Sequence, residues 1–237
     1  MLYQAYQLQS DMTTPWRLLA QHLGAPAWLQ REEHNPLRMP MAALDVLARM
    51  RLTHSRPSYQ IETVEIGTRV FEVEEEVALS LPFGSLLHFK KMGAAQLPYQ
   101  PPVLLAAPLS GHFATLLRET VRTLLQDHDV YITDWHNARD IGLWHGGFGL
   151  DDYIDYLMQF MKAIGPGVHM VAVCQPCVAA LAAAALMAED HDIAQPRSLT
   201  LMAGPVDCRV NPTGVNELAI SKPIEWFEKN LISHVPL

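Results

Sequence analysis

The sequence predicts an α/β fold: a mostly parallel sheet with helices on both faces. Three observations carry that expectation. Beyond Pro101, short apolar runs alternate with helical stretches across short links. The runs at 103–107, 130–133, 168–173 and 198–203 are nearly continuous in apolar residues, as strands buried on both faces are. The chain also has 237 residues, 49% of them hydrophobic and 18% charged, enough for one large core or two modest ones.

The elements follow in order. The first sixty residues read as helical, with apolar residues at three and four spacing over 16–29 and 41–50, punctuated by Asn35-Pro36 and Met39-Pro40. From Ile61 the pattern changes. Val64, Ile66, Val70, Phe71, Val73, Val77 and Leu79 suit two extended segments that turn at Gly67-Thr68. The acidic run Glu74-Glu75-Glu76 reads as a solvated strand edge. The strand at 103–107 leads through Leu109-Ser110-Gly111-His112 into a helix over about 113–126. The strand at 130–133 ends in Asp134-Trp135 and precedes a loop with Gly142, Gly146, Gly147 and Gly149. A helix over 152–164 is stopped by Gly165-Pro166-Gly167. A strand at 168–173, a helix at 178–187, a strand at 198–203 and a helix at 224–231 complete the series. These elements divide into a helical N-terminal segment (1–60), an α/β core (61–209) and the start of a lid or cap (210–237).

Composition narrows the function. High apolar content with sparse charge argues against disorder. Seventeen Lys and Arg against 25 Asp and Glu give a net charge of −8, which argues against nucleic acid as partner. The most apolar run, 178–187, meets Glu189 and Asp190 well short of the ~20 residues a membrane span needs. No basic segment followed by an apolar one opens the chain, so no secretory signal is expected. Three cysteines are too few for a disulfide scaffold, which points to a reducing, cytoplasmic setting. No metal or cofactor is expected, because His169 and His191 lack the spacing to complete a zinc site.

The most informative stretch is Ala172-Val173-Cys174-Gln175-Pro176-Cys177. Cys174 falls where an apolar strand ends and a helix begins. A sharp strand-to-helix turn holds a nucleophile at the carboxyl edge of a sheet. It also sets the next backbone N–H, here that of Gln175, at a helix N-terminus, where it can stabilise an oxyanion. Pro176 suits the first helical turn, and the helix N-terminus favours the thiolate. The competing reading is a small buried residue, as free cysteines commonly are. The same residues spell C-Q-P-C, a dithiol redox pattern, but deep in the chain rather than early in a domain.

Around this point, His145-Gly146-Gly147 has the form of an oxyanion loop but follows the second parallel strand rather than the first. The loop in the right place is Pro108-Leu109-Ser110-Gly111-His112, whose backbone at Ser110 can supply a second donor. His112 reads as a polar loop residue, a structural hydrogen-bonding group or a substrate contact. Asp134 and Trp135 end a strand at the same edge, where both can line a pocket, and Trp135 suits packing equally well. Asp207 stands where a triad acid would, and beside Arg209 it also suits a turn or an ion pair.

Taken together, several segments resemble the intracellular polyhydroxyalkanoate (polyhydroxybutyrate) depolymerases. They are Pro82-Phe83-Gly84-Ser85-Leu86-Leu87-His88-Phe89, Ala107-Pro108-Leu109-Ser110-Gly111-His112, Tyr131-Ile132-Thr133-Asp134-Trp135 and Leu150-Asp151-Asp152-Tyr153-Ile154-Asp155-Tyr156. Val173-Cys174-Gln175-Pro176 and Asn211-Pro212-Thr213-Gly214-Val215-Asn216-Glu217-Leu218 continue the resemblance along most of the chain. It implies an α/β-hydrolase-like fold, incomplete at the C-terminus, and a cysteine nucleophile that maps to Cys174. It also implies stored polyester, as polymer or oligomer at the surface of cytoplasmic granules, as the substrate. Polyester synthases place their cysteine in G-x-C-x-G, whereas Ala172 and Pro176 stand at those flanking positions here. The family's triad Asp and His lie beyond the residues this chain matches. This chain by itself is therefore expected to be catalytically incompetent and, through an open edge at 198–203, prone to form homo-oligomers. Two further classes stay open: a dithiol oxidoreductase, and a non-catalytic granule-associated remnant.

Overall fold

The computed structural model describes residues 2–22, 36, 38–50, 55–93, 97–109 and 113–232. They fall into two compact units, one of Arg56–Thr213 and one of the described residues in Met1–Ser55 and Gly214–Leu237.

The larger unit is built on a seven-stranded sheet. Its strands are β1 (Thr63–Ile66), β2 (Arg69–Leu81), β3 (Gly84–Lys91), β4 (Pro102–Ala106), β5 (Asp129–Trp135), β6 (His169–Val173) and β7 (Ser198–Met202). They lie in the order β1-β2-β3-β5-β4-β6-β7. The first three form an antiparallel meander, and β3 joins β5 antiparallel. From β5 to β7 every pairing is parallel. The expected parallel sheet is therefore present, extended by an antiparallel half into a mixed one. This strand order and these orientations are those of an α/β-hydrolase-like fold.

Chain direction decides where the helices lie. From β4 the chain steps outward to β5, then back across β4 to β6 and on to β7. Right-handed crossovers put helices on opposite faces when the direction of travel reverses. Accordingly α3 (Arg118–Leu124), with the 3₁₀ turn Ala114–Leu117 before it, packs Leu117 and Val121 into one core with Tyr59, Phe89 and Ile132. On the other face α4 (Leu150–Ile164) and α5 (Pro176–Glu189) share a core with Leu86, Leu104 and Met170. α4 buries Tyr153, Tyr156, Leu157, Phe160 and Met161, the three-and-four spacing of one helical face. The Gly149 N–H donates to Asp152 Oδ2 at its start, and Gly165 at φ 101° ends it. α5 is rich in alanine and packs against β6 and β7.

The smaller unit holds α1 (Leu2–His22), α2 (Arg38–Arg49), α6 (Gly214–Ser221) and α7 (Ile224–Asn230). α1 and α2 pack together, and the buried Arg17 donates from Nη1 to the Met50 carbonyl at 2.6 Å. α1 differs from the helix expected over 16–29. It begins some four turns earlier and runs through Pro15, while residues 23–29 lie outside the described ones. Among the described residues, no helix is long and apolar enough to cross a membrane.

Candidate active site

The connections leaving β4 and β6 diverge at their carboxyl ends, which makes the crevice between those strands the switch point of the sheet. Cys174 sits there. β6 ends at Val173, Cys174 takes φ 67°, and α5 starts at Pro176. A side chain at positive φ is strained by roughly 1–3 kcal/mol unless the surroundings hold it. Here they do. The Cys174 N–H donates to the Met202 carbonyl of β7 at 2.8 Å, and its carbonyl accepts the Cys177 N–H at 3.1 Å. The end of β7 turns away through Ala203, also at positive φ (54°), so that Gly204 lies against the elbow. A Cβ at Gly204 would overlap Cys177 and come within 2.8 Å of the Cys174 carbonyl oxygen.

The two cysteines of C-Q-P-C have opposite surroundings. Cys174 is exposed and free. Cys177 is fully buried, and its thiol donates toward the carbonyls of Ala172 (3.3 Å) and Met202 (3.7 Å). The first is open to solvent, while the second is part of the packing below it.

Gln175 follows the elbow, and its side-chain Oε1 accepts the Leu109 N–H at 3.1 Å. Two residues earlier, the Ala107 N–H donates to Thr133 Oγ1 (2.9 Å) and the Ala107 carbonyl accepts Trp135 Nε1–H (3.0 Å). Ser110 and His112 lie outside the described residues.

Asp134 and Trp135 point to opposite faces of the sheet, as neighbours in a strand must. Trp135 packs edge-on against Tyr153 (4.8 Å between centroids) and tilts over Phe148, Tyr156 and Phe160. Asp134 accepts an ion pair from Arg56 Nε at 2.9 Å, and Arg56 also reaches Glu75. Burial raises the Asp134 carboxyl pKa against the opposing pull of Arg56. Composition and spacing gave no sign of Arg56, because its partners come from two other strands.

The nearby histidines and acids are engaged elsewhere. His136 has its Nδ1 2.9 Å from the Pro82 carbonyl and its Nε2 2.9 Å from Ser85 Oγ. The carbonyl can only accept, so Nδ1 donates to it. Asp207 makes a two-pronged ion pair with Arg209 at 2.9 and 2.8 Å, a turn contact that lowers its pKa. His145 ends a 3₁₀ turn at 143–145, far along the loop from β5. Among the described residues, no group of three or more His, Cys, Asp or Glu could hold a metal ion.

The family described as PHB de-polymerase C-terminus matches residues 203–237, beginning at the turn that carries Gly204. No curated protein matches the chain. Among solved structures, a bacterial membrane phospholipase A is 16% identical over 70% of this chain and 54% of its own, with a TM-score of 0.47. An esterase of the archaeon Pyrobaculum calidifontis is 13% identical over 84% of this chain and 60% of its own (TM-score 0.44). An ester hydrolase from the metagenome of Lake Arreo is 12% identical over 96% and 70% (TM-score 0.45). This chain thus spans little more than half of the first of these proteins. The strand order of the chain itself establishes the fold.

Proposed function

We propose that the protein is an ester hydrolase that cleaves stored polyhydroxyalkanoate through Cys174. One observation carries the reading: an exposed thiol at φ 67°, on the turn from β6 to α5, at the switch point of an α/β-hydrolase-like sheet. The short match to the depolymerase C-terminus, starting within two residues of β7, supports the choice of substrate.

The chemistry follows from the position. The Cys174 sulfur attacks the ester carbonyl as thiolate. The Gln175 N–H and an amide in the loop at Ser110 receive the developing oxyanion, each contributing roughly 3 kcal/mol. Collapse of the tetrahedral intermediate breaks the ester C–O bond, and the leaving alkoxide takes up a proton. The 3-hydroxyacyl group remains on sulfur as a thioester until water or a coenzyme A thiol accepts it. Release to water needs a histidine held by a carboxylate, which the family resemblance places downstream of the residues matched here. An insoluble polymer puts the enzyme at a cytoplasmic granule surface.

The dithiol alternative needs the Cys177 sulfur to reach Cys174, whereas that sulfur is buried against two carbonyls. The reading is tested by assaying release of 3-hydroxybutyrate from amorphous polymer. Release that disappears in Cys174→Ala supports it. Equal release by Cys174→Ala contradicts it.

A further inference from the structure

An α/β-hydrolase-like site needs two loops in register: the elbow, and the loop that follows β4. In this chain the second loop is pinned from two sides. Thr133 and Trp135 of β5 hold both polar groups of Ala107, and Gln175 holds the N–H of Leu109 across 66 positions of sequence. Gln175 is therefore bound to both loops at once, through its backbone to Cys174 and through its carboxamide oxygen to Leu109.

We propose that Gln175 is a positioning residue, whose side chain sets the loop after β4 at a fixed distance from the Cys174 sulfur. This rests on Cys174 being the nucleophile, and it goes beyond the oxyanion role of the Gln175 N–H. Two consequences follow from the hydrogen bond. The Leu109 N–H is already directed at Gln175 Oε1, so it does not itself serve as an oxyanion donor. The residue after the nucleophile must also carry an acceptor on a long, straight side chain. Shorter or apolar side chains there leave the thiol in place but release the loop. A donor displaced by about 1 Å loses much of its effect on a transition state, because electrostatic stabilisation depends on preorganised geometry.

The test compares two reactions of the same sulfur in the 237-residue chain. Iodoacetamide alkylates the thiolate by displacing iodide and builds no oxyanion. A p-nitrophenyl 3-hydroxybutyrate ester acylates it through a tetrahedral oxyanion, forming the thioester and releasing one p-nitrophenolate per sulfur. In Gln175→Met, close in shape but without the acceptor, alkylation should stay within about twofold of wild type. Acylation should slow by about 10- to 100-fold, less than the loss of an entire oxyanion donor. Gln175→Ala should behave alike and serves as the second variant if the first does not fold. A parallel fall in both reactions, or an unchanged acylation rate, overturns the positioning role. A wild-type burst that survives in Cys174→Ala overturns the nucleophile reading itself, and this inference with it.

Discussion

The two ends of the parallel strands treat their polar side chains in opposite ways. At the amino end, ionic groups are matched to one another. His88 lies with Nδ1 2.8 Å from Glu76 and Nε2 2.8 Å from Asp129, and its ring stacks on Tyr131 at 4.2 Å. Beside it the buried Lys91 donates to the carbonyls of Leu125 and His128 just past α3, and burial lowers its pKa to about 8. At the carboxyl end, the backbone is held in a strained turn and a thiol is left exposed. The first arrangement stabilises the sheet. The second leaves a thiol open to solvent on a strained turn. The difference teaches where substitutions should separate folding from chemistry.

The largest separation is expected at the cysteines. Cys174→Ala should reduce acylation by an activated ester at least about 1,000-fold, with circular dichroism unchanged. Cys177→Ala should retain most of the acylation and instead cost about 1–2 kcal/mol of stability for the cavity it leaves. Urea unfolding and the p-nitrophenolate burst, measured on the same samples, check both. Equal loss of acylation in the two variants would remove the distinction.

A smaller effect is expected one layer below, at Gly204. The added methyl of Gly204→Ala must displace Cys177 or the Cys174 carbonyl, which overpacks the elbow by about 1–3 kcal/mol. Because the methyl presses on the turn itself, acylation should slow as well. A fully stable variant with normal acylation would show that β7 does not clamp the elbow.

The smallest effect lies at the amino end and depends on pH. Burial opposes charging of His88, but hydrogen bonds to Asp129 and Glu76 outweigh it and raise its pKa. The contribution of a group raised in this way is fully present below the unfolded pKa of about 6.5 and is lost as pH rises through the folded value. Glu76 and Asp129 are lowered, Glu76 chiefly by the His88 hydrogen bond and Asp129 by the same bond against its burial. Their contribution is present above an unfolded value of about 4 and is lost as pH falls through the folded one. His88→Gln should therefore lower the melting temperature most between about pH 4 and pH 6.5, by a few degrees, and least in alkaline buffer. High salt should shrink the difference, and ester acylation should not change. A pH-independent difference would mean that His88 acts by packing alone.

Much of this comparison was legible in the sequence at the carboxyl end and little of it at the amino end. The turn at Gly67-Thr68, the four parallel strands and the β6–α5 junction follow from apolar runs and their breaks, which are local signals. β3 carries no period-two signal in the sequence, because its residues at 84–87, 89 and 91 are buried without alternation. The apolar spacing that predicts a helix over 16–29 carries no sign of the turns before Trp16. In the structure Thr13 and Thr14 bond back to the Ser10 carbonyl, and the helix continues through Pro15. The contacts that hold the site, Gln175 to Leu109, Arg56 to Asp134 and Gly204 against Cys177, join distant parts of the chain. Spacing along one sequence carries no trace of them.

The most direct test of the central claim is the mass and location of the acyl group after brief incubation with an activated 3-hydroxybutyrate ester, followed by acid quench and peptide mapping. The account predicts one 3-hydroxybutyryl group per chain, on Cys174, with Cys177 and Cys208 unmodified. An adduct on another residue, or a Cys174–Cys177 disulfide in place of an adduct, would contradict it.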